Sequence, residues 1–412
     1  MKEQVKRAKT ISKKLLSLDR EVKDKIFDEL IENLDKRRVE IIDQNKIDLK
    51  LAKDNDLSSA MVDRLELNDE RINQMIDGVR AIKEQPDVVG SFFDEFENKE
   101  GLKIKKQRVP LGVILMIFES RPNVVIDSAA LAIKSSNSII LKGGKEATYS
   151  NKVLGDIIEE SIRKYISPDM VIVLDSNDRS QIENLLKLNE YIDVVIPRGG
   201  HGLINYVSEN AKMPVIAHFK GLCHMYVDKS ANIDKAINLI ENAKTQRPGV
   251  CNAIETLIVH KDVLPKIASK LVNNLKEKGT ELRVDNSFNL ESPESLSIAT
   301  DKDWETEYLE NILSVKTVNN IDDAIEHISK FGSNHSECII SEDDDACLKF
   351  LNNVDASCVM VNASTRFNDG GQLGLGAEIG ISTTKIHAYG PMGAEQMTTA
   401  RYVVVGDGHV RK

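Results

Sequence analysis

Residues 138–173 have the sequence SIILKGGKEATYSNKVLGDIIEESIRKYISPDMVIV. This stretch begins with a short apolar run, continues through a helical pattern over 149–165, and ends in a second short apolar run. A strand, a helix and a strand in this order are typical of a βαβ unit, whose two strands lie parallel in one sheet. The stretch therefore predicts an α/β fold with parallel strands.

The same alternation extends through most of the chain after residue 110. The predicted strands are rich in Val, Ile or Leu and are Val113–Phe118, Ser138–Leu141, Val171–Val173, Val194–Ile196, Met225–Val227, Thr256–Val259, Cys338–Ile340 and Cys358–Val361. The helical stretches between them include Tyr149–Tyr165, Ser180–Leu188 and Leu264–Lys278. Apolar residues recur every three or four positions in the first 85 residues, which predicts helices there. We expect ligands at the carboxyl ends of the strands.

Two segments have a different, alternating pattern. Residues 90–109 are short, charged and alternating, which predicts a β-hairpin that projects from the body. The tail near Arg401–Val405 has the pattern of an exposed edge strand, which would pair with a neighbouring subunit.

Composition excludes several classes of protein. The 412 residues predict two or three domains, and 41% hydrophobic with 29% charged residues is ordinary for a soluble globular protein. No apolar run approaches the roughly 18 residues of a membrane span, and the N-terminus predicts an amphipathic helix, so we expect a cytoplasmic protein. A net charge of -10 disfavours nucleic acid as the main partner.

The five cysteines also restrict the function. None forms a Cys-x-x-Cys pair, which indicates a reducing compartment and argues against a structural zinc site. His335 and Cys338 have half of a ligand spacing with no second half, so no metal is expected.

One cysteine has the context of a nucleophile. The stretch Lys244-Thr-Gln-Arg-Pro-Gly-Val-Cys-Asn252 places Cys251 in a turn, after a predicted helix and apart from any apolar run. The other four, Cys223, Cys338, Cys347 and Cys358, lie in strand-like or helix-like apolar stretches. A packed cysteine is the alternative for Cys251, since free cysteines are among the most buried residues.

Three loops after predicted strands carry amide donors or cations. They are Glu119–Asn123, Lys142–Lys145 and Pro197–Gly202, and each is suited to a phosphate or carboxylate. None is a P-loop or a Gly-x-Gly-x-x-Gly fingerprint, so for each loop taken alone an ordinary tight strand-to-helix turn is the preferred interpretation.

Together these motifs resemble a known family. The matching segments, in chain order, are Val109–Val113, Phe118–Val124, Leu141–Ala147, Ile196–Gly200, Thr245–Asn252 and Gly390–Glu395. They closely resemble the γ-glutamyl phosphate reductase family of the aldehyde dehydrogenase superfamily, and the resemblance covers nearly the whole chain.

The resemblance implies an aldehyde dehydrogenase-like α/β fold with parallel-sheet cofactor and catalytic domains and a small β oligomerisation unit. We expect the cofactor-binding domain at residues 1–89 and 110–240 and the catalytic domain at 241–385. The oligomerisation hairpin and tail would be 90–109 and 386–412. A homo-oligomer, a dimer or tetramer, is implied by the same resemblance.

The implied activity is NADPH-dependent reduction of L-glutamyl 5-phosphate to L-glutamate 5-semialdehyde with release of phosphate, the second step of proline synthesis from glutamate. Cys251 would attack the acyl phosphate and form a thioester. The Asn123 side chain and the Cys251 backbone N–H would stabilise the oxyanion, although Asn123 is also an ordinary turn residue after Pro122. Arg247 would supply positive potential, hold the departing phosphate, or only cap the turn.

The resemblance also suggests binding residues. Those for the NADP cofactor are Lys142, Lys145, Gly199, Gly200 and Glu307. Those for the substrate are Glu119, Arg121, Arg247, Arg366 and Asp369. The alternatives are a solvated strand end for Lys142, a helix N-terminal carboxylate for Glu307, and a local ion pair for Glu119 and Arg121.

The position of the general base in hydrolytic aldehyde dehydrogenases aligns with His218. A reductase needs no such base, because its thioester must survive until hydride arrives. An ordinary aldehyde dehydrogenase or acyl-CoA reductase and a non-catalytic scaffold of the same fold are the rival hypotheses. A transient contact with glutamate 5-kinase is a hypothesis from the instability of an acyl phosphate.

Overall fold

The computed structural model describes residues 1–175, 180–217, 220–288 and 296–411. Its helices, in chain order, are α1 Lys2–Ser12, α2 Arg20–Lys36, α3 Arg38–Asp54, α4 Ser59–Leu65, α5 Asp69–Glu84, α6 Asn123–Lys134, α7 Thr148–Ile162, α8 Ser180–Leu185, α9 His201–Asn210, α10 Ile233–Thr245, α11 Leu264–Glu277, α12 Ile321–Phe331 and α13 Asp344–Asn353. Its strands are β1 Phe92–Glu97, β2 Lys103–Pro110, β3 Val113–Phe118, β4 Ser138–Lys142, β5 Val171–Val173, β6 Val194–Arg198, β7 Cys223–Val227, β8 Ile254–His260, β9 Glu281–Val284, β10 Ser297–Ile298, β11 Ile312–Val318, β12 Ser336–Ile340, β13 Cys358–Val361, β14 Ile381–Ser382, β15 Gly390–Pro391 and β16 Thr398–Val405.

The chain divides into two compact units. The first comprises Met1–Ala217, Gly374–Gly380 and Met392–Lys412, and the second comprises His218–Leu373 and Ile381–Pro391. The predicted boundary at residue 240 falls later than this division, because β7 pairs with β8 and β12 in the sheet of the second unit. The functions of the two units stay predictions.

The first unit contains a parallel sheet of four strands in the order β5-β4-β3-β6. All six residues of β3 are buried, as expected for a central strand of a parallel sheet covered on both faces. Ile117 pairs with Lys142 and Phe118 with Arg198. The loops after β3, β4 and β6 therefore leave the sheet at one edge, the carboxyl edge.

Helices precede this sheet, as the sequence predicts for its first 85 residues. In α2 the residues at the predicted four-residue spacing, Ile26, Leu30 and Leu34, are fully buried. The opposite face of α2 is polar, so burial of one apolar stripe explains the helix.

The predicted hairpin is confirmed. β1 and β2 pair antiparallel, and the predicted tail strand, β16, pairs antiparallel along the whole length of β2. These strands form a small sheet in the order β1-β2-β16, in which β16 is an edge strand.

The second unit contains a seven-stranded sheet in the order β10-β9-β11-β8-β7-β12-β13. Every pairing in it is parallel, and apolar residues from α10, α11 and the central strands form one buried cluster. The predicted strands here are confirmed, but β9, β10 and β11 are not among them. Ser314, Lys316 and Thr317 interrupt the apolar run of β11, which explains why a search for apolar runs misses it.

The expectation that ligands lie at the carboxyl ends of the strands stays a prediction, and the loop of Cys251 lies at the other edge of its sheet. This loop connects the end of α10 to the start of β8, so Cys251 lies at the amino edge of the seven-stranded sheet. Within the described ranges, no helix has the length and apolar composition to cross a membrane. No three His, Cys, Asp or Glu side chains converge there in a way that could hold a metal ion.

Candidate active site

Cys251 lies in an irregular loop between α10 and β8, which agrees with the predicted turn after a helix. Its side chain is partly exposed, whereas Cys223, Cys338 and Cys347 are buried, and all five cysteines are free thiols. Burial raises the pKa of the Cys338 thiol to about 12 and that of Cys223 well above its ordinary value. Those two thiols are therefore protonated and inert at neutral pH.

The segment that leads into β7 holds the backbone of Cys251. A Cβ atom placed on Gly221 would lie 2.2 Å from the carbonyl oxygen of Cys251 and 2.6 Å from its Cα, so only glycine fits there. The Cys223 thiol donates to the same carbonyl oxygen at 3.1 Å. The packed cysteine thus supports the exposed one.

Asn252 anchors the other side of the loop. Its amide nitrogen donates to the carbonyl oxygen of Asn368 at 3.0 Å, and the Asn368 amide donates in turn to Ser336 Oγ at 2.8 Å. Asn252 is only 4% exposed. The polar residue after the cysteine is therefore a buried anchor.

Two predicted substrate residues, Arg366 and Asp369, lie near this loop. Arg366 donates through Nε to Gln246 Oε1 at 2.8 Å. Burial lowers the pKa of the Arg366 guanidinium; Asp369 and Cys251 oppose this shift, and Arg247 adds to it. Arg247 is exposed. Cys251, Asp369 and Arg247 thus all lie close enough to Arg366 to act on its charge.

Glu307, a predicted cofactor residue, lies at the same edge. Its Oε1 accepts a hydrogen bond from the backbone N–H of Gly221 at 2.9 Å. It follows the 3-10 turn Asp303–Glu305, so it is not the N-terminal carboxylate of a helix. Glu307 thus helps to hold the glycine that packs on Cys251.

Two charged residues that sequence reasoning missed lie beneath this loop. Lys244 Nζ is 2.8 Å from Glu255 Oε2, and both side chains are 0% exposed. Two sequence signals would have identified this pair. Lys244 ends an apolar helix face, and Glu255 lies inside an apolar strand.

Another group of predicted residues lies at the carboxyl edge of the four-stranded sheet. Glu119 Oε2 accepts a hydrogen bond from the backbone N–H of Gly200, the N-cap of α9, at 2.8 Å. A Cβ atom on Gly199 would lie 2.3 Å from the same carboxylate oxygen. The amide site predicted for a ligand is therefore partly filled by Glu119.

Ser120 lies between two predicted substrate residues, Glu119 and Arg121, in a strained conformation. Its φ of 44° is in the left-handed region, which a residue with a side chain rarely adopts. Its N–H and hydroxyl both donate to Glu146 Oε1, at 2.6 and 2.9 Å. Backbone strain of this kind is concentrated at functional loops.

Asn123 is the first residue of α6, and its side-chain amide points toward Asp127. Nδ2 donates to Asp127 Oδ2 at 2.9 Å. Burial raises the pKa of the Asp127 carboxyl to about 6; the Asn123 hydrogen bond and Arg198 lower it, and Glu378 raises it further. The spacing of four residues on a helix is a sequence signal for this contact that the motif reasoning did not use.

The two lysines after β4 differ in exposure. Lys142 is 2% exposed, with Nζ 3.4 Å from the carbonyl oxygen of Gly143, whereas Lys145 is exposed. The alternative of a solvated strand end is therefore wrong for Lys142. His218 lies outside the described residues.

A partly exposed cysteine in a fixed loop and two parallel α/β sheets define the class of protein, an enzyme with the aldehyde dehydrogenase fold. The aldehyde dehydrogenase family profile matches residues 1–293. An acetylating aldehyde dehydrogenase from Geobacillus thermoglucosidasius has the same fold, with a TM-score of 0.73 at 18% identity over 100% of this chain and 97% of that one.

Several relatives of higher identity are of one kind. The chain is 48% identical to the gamma-glutamyl phosphate reductase of Nautilia profundicola over 100% of both chains, and 47% identical to that of Clostridium tetani over 98% of this chain and 97% of the relative. The crystal structure of gamma-glutamyl phosphate reductase from Thermotoga maritima superposes with a TM-score of 0.94 at 42% identity, covering 100% of this chain and 99% of that one. The chain therefore belongs to the gamma-glutamyl phosphate reductase family.

Proposed function

We propose that this protein catalyses the NADPH-dependent reduction of L-glutamyl 5-phosphate to L-glutamate 5-semialdehyde, with release of phosphate, as the second step of proline biosynthesis from glutamate. Family membership supports the reaction class. The observation that carries the proposal is the partly exposed Cys251 in a loop fixed by Gly221, Cys223 and Asn252, with Arg366 electrostatically coupled to the thiol.

Cys251 is the proposed nucleophile. Its thiolate attacks the acyl carbon of the substrate, the C–O bond to phosphate breaks, and a γ-glutamyl thioester forms. A free thiol is mostly protonated near pH 7, so the positive charges of Arg247 and Arg366 favour the reactive thiolate. The same guanidinium groups suit the departing phosphate, because guanidinium binds such oxygens through paired hydrogen bonds.

Asn123 and the backbone N–H of Cys251 are the proposed oxyanion donors. A donor directed at the developing negative charge contributes on the order of 3 kcal/mol to lowering the barrier. The bond from Asn123 to Asp127 supports this role, because it turns the NH2 group toward an acceptor and leaves one N–H for a second acceptor.

The residues proposed for the cofactor are Lys142, Lys145, Gly199, Gly200 and Glu307. The exposed ammonium of Lys145, at the carboxyl edge of a parallel sheet, has the charge that a 2'-phosphate requires. When bound, NADPH supplies the hydride that reduces the thioester. Collapse of the resulting thiohemiacetal on Cys251 releases the aldehyde and returns the thiol.

The proposed substrate residues are Glu119, Arg121, Arg247, Arg366 and Asp369. The substrate has an α-carboxylate, an α-ammonium and a phosphate, so the site requires cations and at least one carboxylate. A cytoplasmic location, a homo-oligomeric state and a transient contact with glutamate 5-kinase belong to the same proposal.

The reverse reaction tests the proposal directly. Purified protein is mixed with glutamate 5-semialdehyde, phosphate and NADP, and NADPH formation is followed by its absorbance. We expect phosphate-dependent NADPH formation that falls at least a thousandfold in Cys251→Ser, since a hydroxyl is a far weaker nucleophile without an activating base.

Two results would contradict the proposal. Equal turnover without phosphate would mean that water accepts the acyl group, as in a hydrolytic dehydrogenase. No turnover with either nicotinamide cofactor would favour a non-catalytic protein of the same fold.

A further inference from the structure

The ion pair between Lys244 and Glu255 joins the two ends of the loop that carries Cys251. Lys244 lies in the last turn of α10, and Glu255 is the second residue of β8. Their charged atoms are 2.8 Å apart, and both side chains are fully buried. The pair therefore sets the distance between the segment that enters the loop and the segment that leaves it.

Glu255 also bonds to the segment that carries Glu307. Its Oε1 accepts a hydrogen bond from the backbone N–H of Leu309 at 3.3 Å. Two residues earlier, Glu307 accepts from the N–H of Gly221, which packs on the backbone of Cys251. Glu307 thus holds Gly221, while the ion pair holds the Cys251 loop on which Gly221 packs.

Stability alone is a poor explanation for this pair. Removing two charges from water costs more than most buried ion pairs return, and an apolar pair of similar size is often at least as stable. The environment of the pair reflects that cost. Burial raises the pKa of the Glu255 carboxyl to about 7, with Lys244 and the Leu309 N–H opposing the shift and Glu307 adding to it.

Burial also disfavours the charged form of Lys244. Burial lowers the pKa of its ammonium, while Glu255 raises it. The pair fixes the geometry between the end of α10 and the start of β8, since a charged hydrogen bond at 2.8 Å restricts direction and distance more than an apolar contact does.

We propose that Lys244 and Glu255 are positioning residues, which fix the Cys251 loop so that the thiol is presented for attack. The proposal rests on the nucleophilic role of Cys251 in the proposed function. Both residues act through the backbone of the loop.

The test measures the reactivity of Cys251 without substrate or cofactor. Full-length protein is treated with iodoacetamide from pH 6 to pH 9, and alkylation of Cys251 is followed by mass spectrometry, with Cys251→Ser to identify the signal. The variants are Glu255→Gln, which keeps the shape of the side chain, and Lys244→Met/Glu255→Gln, which removes both charges and leaves neither unpaired.

A matched pair elsewhere controls for the loss of any buried ion pair. Lys23 Nζ lies 2.8 Å from Asp87 Oδ2 in the first unit, with Lys23 only 1% exposed, and burial lowers the pKa of Lys23 as it does for Lys244. The double variant Lys23→Met/Asp87→Asn is expected to leave Cys251 alkylation within twofold of the wild type, whatever its effect on stability.

We expect the alkylation rate of Cys251 to change more than threefold in at least one of the two test variants, in protein that still unfolds cooperatively in urea. In the reverse reaction, kcat should fall at least tenfold with a change of less than threefold in KM. Changes below threefold in alkylation for both variants would overturn the proposal and leave a purely structural pair. Failure of the proposed function has a different signature, which is wild-type protein with no phosphate-dependent turnover.

Discussion

At the scale of the residue, the ability of a side chain to bind a ligand depends on its burial and on the hydrogen bonds that it already makes within the protein. The Asn123 amide donates one N–H to Asp127, and the Glu119 carboxylate accepts a hydrogen bond from the backbone N–H of Gly200. Lys142 is buried while Lys145 is exposed. Residues of similar type in neighbouring loops therefore have different remaining capacity to bind a ligand.

Asp127 gives a pH-dependent prediction. Burial raises the pKa of its carboxyl from the ordinary value of 3.8 to about 6 in the folded protein. Between these values the unfolded chain has lost the proton while the folded chain keeps it, so the free energy of unfolding falls as pH rises from about 4 to 6. Asp127→Asn removes this contribution.

We expect the free energy of unfolding of Asp127→Asn, relative to the wild type, to rise by about 2 kcal/mol from pH 4 to pH 7, allowing for partial exposure. Urea unfolding at four pH values measures it. Asp77→Asn, at an exposed carboxylate, is the control for loss of a negative charge. A difference that does not change with pH would show that folding does not raise the pKa of Asp127.

At the scale of the element, the loop between α10 and β8 depends on the segment that leads into β7. Gly221 packs on the backbone of Cys251, and the Cys223 thiol donates to the Cys251 carbonyl oxygen. Two segments that are distant in the chain thus pack together at the backbone of Cys251. The loop geometry is set by neighbours and not by its own turn residues.

Gly221→Ala tests this dependence. The added Cβ would meet backbone atoms at 2.2 and 2.6 Å, so the strand or the loop must move. We expect a loss of about 1–3 kcal/mol in unfolding free energy, together with altered alkylation of Cys251. Urea unfolding and iodoacetamide kinetics measure the two effects.

Gly202→Ala is the matched control. Gly202 lies in α9 with open space around the added Cβ, and alanine is the better helix former by about 1 kcal/mol. We therefore expect no loss of stability there. If Gly221→Ala behaves like Gly202→Ala in both measurements, close packing on Cys251 does not control the loop.

At the scale of the whole molecule, the small sheet β1-β2-β16 carries the prediction of self-association. Tyr402, Val404 and Val405 on β16 are 65%, 54% and 53% exposed. The outer edge of β16 has no partner strand within the described ranges. An exposed apolar edge strand is suited to pairing with a second copy of the chain.

We expect the protein to be a dimer or tetramer by light scattering after gel filtration. Tyr402→Lys/Val404→Lys should shift it toward the monomer, because charges on an edge strand oppose pairing. Val410→Lys, at a residue 79% exposed beyond the strand, should leave the assembly unchanged. A monomeric wild type, or an assembly indifferent to the β16 changes, would contradict the prediction.

Much of the architecture was available from local patterns. The apolar runs at Val113–Phe118 and Ser138–Leu141 became central parallel strands, because a strand buried on both faces must be apolar along its length. The hairpin at 90–109 followed from alternation. Strand β11 was not predicted, because its pairing with β8 and β9 stabilises it as a strand although its own sequence has no continuous apolar run.

The sequence by itself determined the α/β class, the helical start, the family and the one cysteine set in a turn, because these depend on periodicity and on residues close together in the chain. Only the tertiary structure decided that Cys251 lies at the amino edge of its sheet, that Gly221 packs on it, and that Lys244 and Glu255 join beneath it. These contacts depend on which strands pair and in what register. Strand order is a property of the folded sheet, so no local pattern in the chain encodes it.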